Sequence, residues 1–147
     1  MDILDALLGE HGIFYTLFDW YEKSAARSVT AADVQRMVWP LADALVSHAK
    51  IEDELLFPVL EKESGLKKQL DAMRREHRGI EKALEAVKRC DRKAEAWRQI
   101  FGAIEAARAH FANEERILFP RARQVLTERK LAQLTRRWAE VRGVAVL

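Results

Sequence analysis

Apolar residues recur along most of this chain in alternating steps of three and four positions, the spacing of one face of an α-helix. Four long stretches carry such a stripe, and a shorter fifth stretch follows them. We predict five helices and no strands, with the helices over about residues 2–25, 30–62, 66–89, 93–120 and 127–143. Thr30 is placed to cap the second helix, and Ser64-Gly65 separates the second helix from the third.

The links between these helices are short, so consecutive helices are expected to run antiparallel. The predicted fold class is all-α, an up-down antiparallel four-helix bundle over about residues 2–120 with an additional short C-terminal helix over about 127–143. A chain of 147 residues can bury a proper core, and we expect residues 1–147 to form a single domain.

Six polar residues occupy stripe positions that apolar residues fill elsewhere, so their side chains should point into the bundle. At a rise of about 1.5 Å per residue, counting from the links places all six within one or two turns of a common level. These residues are His11, His48, Glu52, His77, His110 and Glu114.

Two short segments of the chain repeat each other 62 positions apart, HAKIEDELLFP at 48–58 and HFANEERILFP at 110–120. In each segment a histidine and a glutamate stand four positions apart, which stacks the imidazole and the carboxylate on one helix face. The other two histidines, His11 and His77, each follow a glutamate. All four histidines thus fall into one twofold-repeated pattern, which is typical of a metal site.

A lone histidine in a core is most often a hydrogen-bonded packing residue. For several buried charged groups, the alternative to a metal site is an internal salt-bridge network. Two buried glutamates without compensation would be strongly destabilising. No Lys or Arg lies on the stripes at this level, so a salt-bridge network lacks its cations. A pair of metal ions would provide the positive charge directly.

The spacing of the residues narrows the kind of metal site. Ferritin-like di-iron proteins use Glu-x-x-His and zinc proteases use His-Glu-x-x-His, whereas this chain has His-x-x-x-Glu. A closed structural zinc site needs about four ligands, usually with thiolates. Four imidazoles and two carboxylates instead suit two redox-active first-row ions that are bridged by the glutamates.

Composition and charge argue against several other classes. The net charge is +2 and the basic residues are scattered, so we expect no nucleic-acid partner. No apolar run approaches the roughly 18 residues of a membrane span and no secretory signal is recognisable, so we expect no membrane association. The single cysteine, Cys90, favours a reducing compartment and is interpreted as a bystander. These features predict a cytoplasmic protein.

The six stripe residues, with the Leu-Phe-Pro that follows each His-Glu pair, resemble the hemerythrin-like HHE cation-binding domain family over about residues 2–120. The resemblance implies a non-haem di-iron centre inside the bundle, with two iron ions bridged by carboxylates and by an oxo or hydroxo group. It also implies that Glu52 and Glu114 bridge the irons and that the four histidines bind them terminally.

Two positions depart from the oxygen-carrying members of that family. Met73 stands where the carriers have a second histidine on the third helix, and Glu114 stands where they commonly have Asp. Four histidines with two bridging carboxylates are similar instead to the di-iron proteins that repair iron-sulfur clusters, whose N-terminal cysteine-containing domain has no counterpart in this sequence. One histidine fewer leaves both metals a free position, which favours small-ligand chemistry over reversible carriage.

The leading functional prediction is a di-iron protein that binds or reacts with O₂, NO or peroxide, in sensing, scavenging or detoxification. A peroxide- or NO-directed enzyme activity is a variant of it. The alternatives are iron storage or donation for cluster repair, and a bundle that a metal such as zinc merely stabilises. The apolar stripe of the fifth helix is expected to dock on the bundle, with a homodimer contact or an unidentified protein partner as the alternative.

The other polar residues near the histidines are interpreted as surroundings of the site. Tyr15 is interpreted as a packing residue, with a hydrogen bond toward the centre as the alternative. Pro58 and Pro120 are expected to mark helix ends, because proline removes a backbone hydrogen bond. Four glutamates beside the stripe residues are expected on the flanks or surfaces of the helices: Glu10, Glu54, Glu76 and Glu115.

Overall fold

The computed structural model describes residues 1–145 and contains seven α-helices and no strand within that range. The predicted all-α fold, four long helices with a short C-terminal helix, is confirmed. Residues 146 and 147 of the predicted domain lie outside the described part of the chain. In chain order the helices are α1 (Ile3–Ser24), α2 (Ala31–Ile51), α3 (Phe57–Ser64), α4 (Lys67–Ala86), α5 (Lys93–Asn113), α6 (Phe119–Val125) and α7 (Glu128–Arg142).

Side chains and glycines define where these helices begin and end. Thr30 Oγ1 accepts a hydrogen bond from the backbone N–H of Asp33 at 3.1 Å, and an oxygen of Asp33 accepts one from the N–H of Thr30 at 2.9 Å, which fixes the start of α2. Thr127 caps α7 in a similar way. The helices α3 and α7 stop at Gly65 and Gly143, whose positive φ angles are easily adopted only by glycine. The predicted limits of these helices are therefore confirmed to within a few residues.

Two π-helical turns make the long helices continue beyond the repeated segments. Glu52–Leu56 joins α2 to α3, and Glu114–Leu118 joins α5 to α6. The prediction that Pro58 and Pro120 mark helix ends is wrong, and so is a fourth helix that ends near residue 120. Each proline is the second residue of the α-helix that follows the π-helical turn, and the chain remains helical to Ser64 and to Val125.

The apolar interior consists of two cores, one toward each end of the bundle. On each long helix the change from one core to the other occurs at or beside one of the four histidines. The first core includes Phe14, Phe18, Leu41, Leu45, Leu84 and Ile100. The second core includes Leu4, Leu7, Leu56, Phe57, Leu70 and Leu118. A polar layer therefore crosses the bundle between two apolar regions, at the common level that the stripe positions predict.

The C-terminal helix α7 packs on α1 and on the first π-helical turn. Its residue Leu134 is buried in the second core, and Leu131 and Trp138 pack against that core. The predicted docking of the apolar stripe on the bundle is thus confirmed, except that Val141 is exposed. None of the helices within residues 1–145 has both the length and the apolar character needed to cross a membrane.

A buried hydrogen bond ties the link between α1 and α2 to α5. Ser28 Oγ accepts it from Trp97 Nε1 at 2.8 Å, and both side chains are buried. We expect Ser28→Ala to lower the free energy of unfolding by about 1–3 kcal/mol, because the buried indole N–H loses its partner. Urea unfolding would measure the change. In the double variant with Trp97→Phe the loss should be smaller than the sum of the single losses. Additive losses would show that the bond contributes nothing.

Candidate metal centre

The polar layer between the two cores contains all six predicted site residues. None of them is more than 8% exposed. The long helices provide one histidine each, and the two π-helical turns provide one glutamate each. In chain order the layer consists of His11, His48, Glu52, His77, His110 and Glu114.

One half of the layer brings together two histidines and one oxygen of each glutamate. The Nε2 atoms of His11 and His48 are 3.2 Å apart. Glu114 Oε2 lies 3.3 Å from His11 Nε2, and Glu52 Oε1 lies 3.4 Å from His48 Nε2. These four atoms are close enough together to share one metal ion. We call this group the first half-site.

The other half of the layer repeats this arrangement with the remaining histidines. The Nε2 atoms of His77 and His110 are 2.8 Å apart. Glu52 Oε2 lies 3.3 Å from His77 Nε2, and Glu114 Oε1 lies 3.1 Å from His110 Nε2. These atoms form the second half-site, which could also hold an ion. Each glutamate therefore turns one oxygen toward each half-site.

The oxygens of Glu52 and Glu114 are the most unusual polar atoms of the layer. All four are buried, and none has a hydrogen-bond partner. A buried carboxylate without partners is strongly destabilising unless a cation or a proton compensates it. The atoms that face these oxygens are imidazole nitrogens, which together with carboxylates are common ligands of first-row metals. The residues present therefore fit a cation in each half-site.

A carboxylate contacts the outer nitrogen, Nδ1, of each imidazole. Glu10 Oε2 accepts from His48 Nδ1 at 2.6 Å, and Glu76 Oε2 accepts from His110 Nδ1 at 2.6 Å. A carboxylate at this place keeps the proton on Nδ1 and leaves the lone pair of Nε2 free for a metal ion. Glu10 is half-buried and Glu76 is exposed, as a flank or surface position predicts, but their contacts with the histidines were not predicted.

The other two histidines have the same kind of partner. Glu115 Oε1 accepts from His11 Nδ1 at 2.9 Å, and Asp53 Oδ1 accepts from His77 Nδ1 at 3.0 Å. Glu115 is half-buried on the flank, as predicted, but its contact with His11 was not predicted, whereas Glu54 is exposed as predicted. The sequence analysis missed Asp53 entirely, although an acidic residue follows the layer glutamate in both repeated segments.

The contacts of these carboxylates were not predicted because each carboxylate reaches a histidine on another helix. Glu10 on α1 contacts His48 on α2, and Glu76 on α4 contacts His110 on α5. Spacing along one helix shows that neighbouring residues point roughly 100° apart, but it does not show which residue of the next helix lies there. The acidic residue before each lone histidine was the available signal.

Tyr15 also belongs to these surroundings. Its hydroxyl donates a hydrogen bond to Glu115 Oε1 at 2.9 Å, and the same oxygen accepts from His11 Nδ1. Burial and the hydrogen bond to Glu115 raise the pKa of Tyr15 to about 12, so the hydroxyl remains a donor. The packing interpretation of Tyr15 is therefore incomplete, and the alternative hydrogen bond toward the centre is present.

In the metal-free chain the buried histidines and glutamates stabilise each other's charged forms. Burial lowers the pKa of His48, but the charge of Glu52 and the hydrogen bond to Glu10 outweigh it and raise the pKa to about 10. Burial also lowers the pKa of His77, but the hydrogen bonds to Asp53 and Glu52 outweigh it and raise this pKa to about 9. Although burial raises the pKa of Glu52, the neighbouring His48 and His77 hold it well below the usual range. Protons and metal ions therefore compete for this layer.

A cavity of about 230 Å³ leads from the surface between α2 and α4 to the polar layer. It reaches His48, His77 and His110, whereas His11 is not part of its wall. The rest of the inner wall is mainly apolar and includes Leu45, Ile80, Leu84 and Phe111. The passage therefore ends at both histidines of the second half-site and at one histidine of the first.

Comparison with known proteins gave one family match. The model of the Hemerythrin HHE cation binding domain matches residues 2–122. This range contains the six layer residues and their four carboxylate partners, but it ends before α7. No curated protein and no solved structure matched the chain.

The stability of the metal-free chain should depend on pH. The folded-state pKa values of His48 and His77 lie above the ordinary value of 6.5. The stabilisation that these two protonated histidines give the folded state is fully present below pH 6.5. It is lost as pH rises through about 9 for His77 and about 10 for His48. We expect the free energy of unfolding to fall between pH 7 and pH 9 by on the order of 1 kcal/mol per pH unit for each histidine.

Urea unfolding of the chelator-treated protein across this range would measure the effect. The metal-loaded protein is the control, because nitrogens that bind a metal have no proton to lose. A free energy of unfolding that stays constant with pH in the metal-free chain would contradict the raised pKa values of His48 and His77.

Proposed function

The chain belongs to the Hemerythrin HHE cation-binding domain family, and we propose that its buried layer binds two metal ions, one in each half-site. The four partnerless oxygens of Glu52 and Glu114 carry this proposal. Each carboxylate faces both half-sites, so Glu52 and Glu114 would bridge the ions. His11 and His48 would complete the first half-site, and the other two histidines the second.

The contacts between histidines favour metal ions over protons as the compensating charge. Within each half-site two Nε2 atoms face each other, at 3.2 Å in the first and 2.8 Å in the second. The Nδ1 protons are already directed at carboxylates, so two imidazolium ions in one half-site would point N–H groups at each other. At most one histidine of each pair can therefore be protonated on both nitrogens without this repulsion. A divalent ion instead satisfies both nitrogens and two carboxylate oxygens together.

We propose that the ions are iron. The layer has only imidazole and carboxylate ligands, a donor set that suits iron and other first-row metals and contains no thiolate. Two iron ions would supply redox and Lewis-acid chemistry toward small oxidants. The protein would bind the ions, fix the imidazole tautomers through the outer carboxylates, and exclude bulk water with the two apolar cores.

The passage between α2 and α4 supports a small ligand such as O₂, NO or peroxide. Its inner wall is mainly apolar and ends at three of the four histidines. A role in sensing, scavenging or detoxification follows from such access. Iron storage or donation and a purely stabilising metal are the competing hypotheses. Metal content and the visible spectrum of the iron-loaded protein, with and without azide, distinguish them, since an accessible redox centre should change its spectrum on adding azide.

Replacement of a bridging carboxylate should reduce the metal content. We expect wild-type protein to bind two iron ions per chain, and Glu52→Gln to bind one or none, because a neutral amide lacks the charge that both half-sites share. Elemental analysis after gel filtration measures the stoichiometry. The matched control is Glu54→Gln, two positions away and exposed, which should retain both ions. Full loading of Glu52→Gln would refute the bridging role.

A large side chain at the mouth of the passage should slow ligand entry. Val46 lines the cavity and is partly exposed, so Val46→Trp can cover the opening without disturbing the core. We expect azide to bind the iron-loaded variant several-fold more slowly, with unchanged iron content. Ile13→Trp, at an exposed position outside this cavity, is the control. Equal rates for both variants in stopped-flow absorbance would contradict this entry route.

A further inference from the structure

Helix α7 contacts the metal centre through Glu10. Trp138 Nε1 donates a hydrogen bond to Glu10 Oε1 at 2.9 Å. Arg142 binds both carboxylate oxygens, with Nε 2.8 Å from Oε1 and Nη2 2.8 Å from Oε2. Glu10 Oε2 is also the atom that accepts from His48 Nδ1. A continuous set of hydrogen bonds therefore connects α7 to a residue of the first half-site.

Arg142 also connects α7 to α2, the helix that carries His48. Its Nη1 donates to Ser47 Oγ at 2.6 Å, one residue before His48 on α2. Burial raises the pKa of Glu10, but the bonds from His48, Arg142 and Trp138 outweigh it and lower the pKa to about 2. Because His48, Trp138 and Arg142 together make four hydrogen bonds to its two oxygens, the Glu10 carboxylate is held in one orientation.

The second half-site lacks an equivalent support. Glu76 takes the place of Glu10 in the internal repeat and binds His110. Its side chain is 47% exposed, against 15% for Glu10, and within residues 1–145 the structure gives it no other hydrogen-bond or ion-pair partner. The cavity between α2 and α4 also opens on both histidines of this half-site, whereas in the first half-site it reaches His48 but not His11. The two half-sites have the same ligand types but unequal surroundings.

We propose that Arg142 and Trp138 are positioning residues that make the first half-site hold its ion longer than the second. They fix Glu10, which fixes the orientation and tautomer of His48, so less order is lost when the ion binds and solvent enters less easily. The second half-site, with an exposed Glu76 and an open cavity, exchanges its ion faster. This inference rests on the proposed binding of two ions, and it gives α7, which lies beyond the matched family range, a role in the centre.

Iron release to a chelator tests the proposal. Anaerobic protein loaded with Fe²⁺ would be mixed with excess ferrozine, and the coloured product followed with time. We expect two phases of equal amplitude in the wild-type protein. Arg142→Ala should accelerate the slow phase about tenfold, the lower end of the effect of removing outer-shell partners, and leave the fast phase unchanged. Arg137→Ala, at an exposed position on the same helix, is the matched control and should change neither phase.

Further variants separate positioning from general stability. Glu10→Gln should reproduce Arg142→Ala, and Glu76→Gln should accelerate only the fast phase. Trp138→Phe retains the ring but removes the N–H, so it tests the clamp even if Arg142→Ala does not fold. In the metal-free protein, the Nδ1 proton of His48 should give a sharp NMR resonance that broadens in Arg142→Ala.

The possible failures are distinguishable. Binding of fewer than two Fe²⁺ ions by the wild-type protein would overturn the proposed function itself. Two bound ions with a slow phase that neither Arg142→Ala nor Trp138→Phe changes would overturn only the role of α7. Equal acceleration of both phases would also overturn that role, because it would indicate a general loss of stability.

Discussion

The partnerless oxygens of Glu52 and Glu114 impose the constraint on which the rest of the structure depends. Two carboxylates buried in the centre of a helical bundle need positive charge, and an imidazole nitrogen lies within 3.4 Å of each of their four oxygens. The outer carboxylates keep protons on the Nδ1 side, so the inner nitrogens are left as ligands. The apolar interior is divided into two cores because this polar layer crosses it.

The twofold repeat extends beyond the six layer residues. In each repeated segment the glutamate begins a π-helical turn. The residue after the glutamate, Asp53 or Glu115, contacts the lone histidine of the other half of the repeat. π-Helical turns are rare and often lie at functional sites. Here they place the layer carboxylates Glu52 and Glu114, and the chain remains helical through Pro58 and Pro120 rather than ending there.

The surroundings of the repeat are not symmetric. Helix α7 clamps Glu10, while the corresponding Glu76 is exposed. The cavity reaches both histidines of the second half-site but only His48 of the first. If two ions bind as proposed, equal ligands with unequal surroundings would let one ion be retained longer than the other. This asymmetry arises from a helix outside the matched family range and from the packing of α2 against α4.

The sequence by itself determined the helices, their approximate limits and the six residues of the layer, because a stripe of period 3.6 directly shows which side chains point inward. It did not determine the contacts between helices. Glu10 and Glu76 were placed on flanks, Asp53 was missed, and Tyr15 was interpreted as packing, because each of them contacts a residue of another helix. The docking of Arg142 on Glu10 likewise joins residues 132 positions apart. Periodicity describes one helix at a time, whereas these contacts depend on the rotation and depth of neighbouring helices, which only the tertiary structure decided.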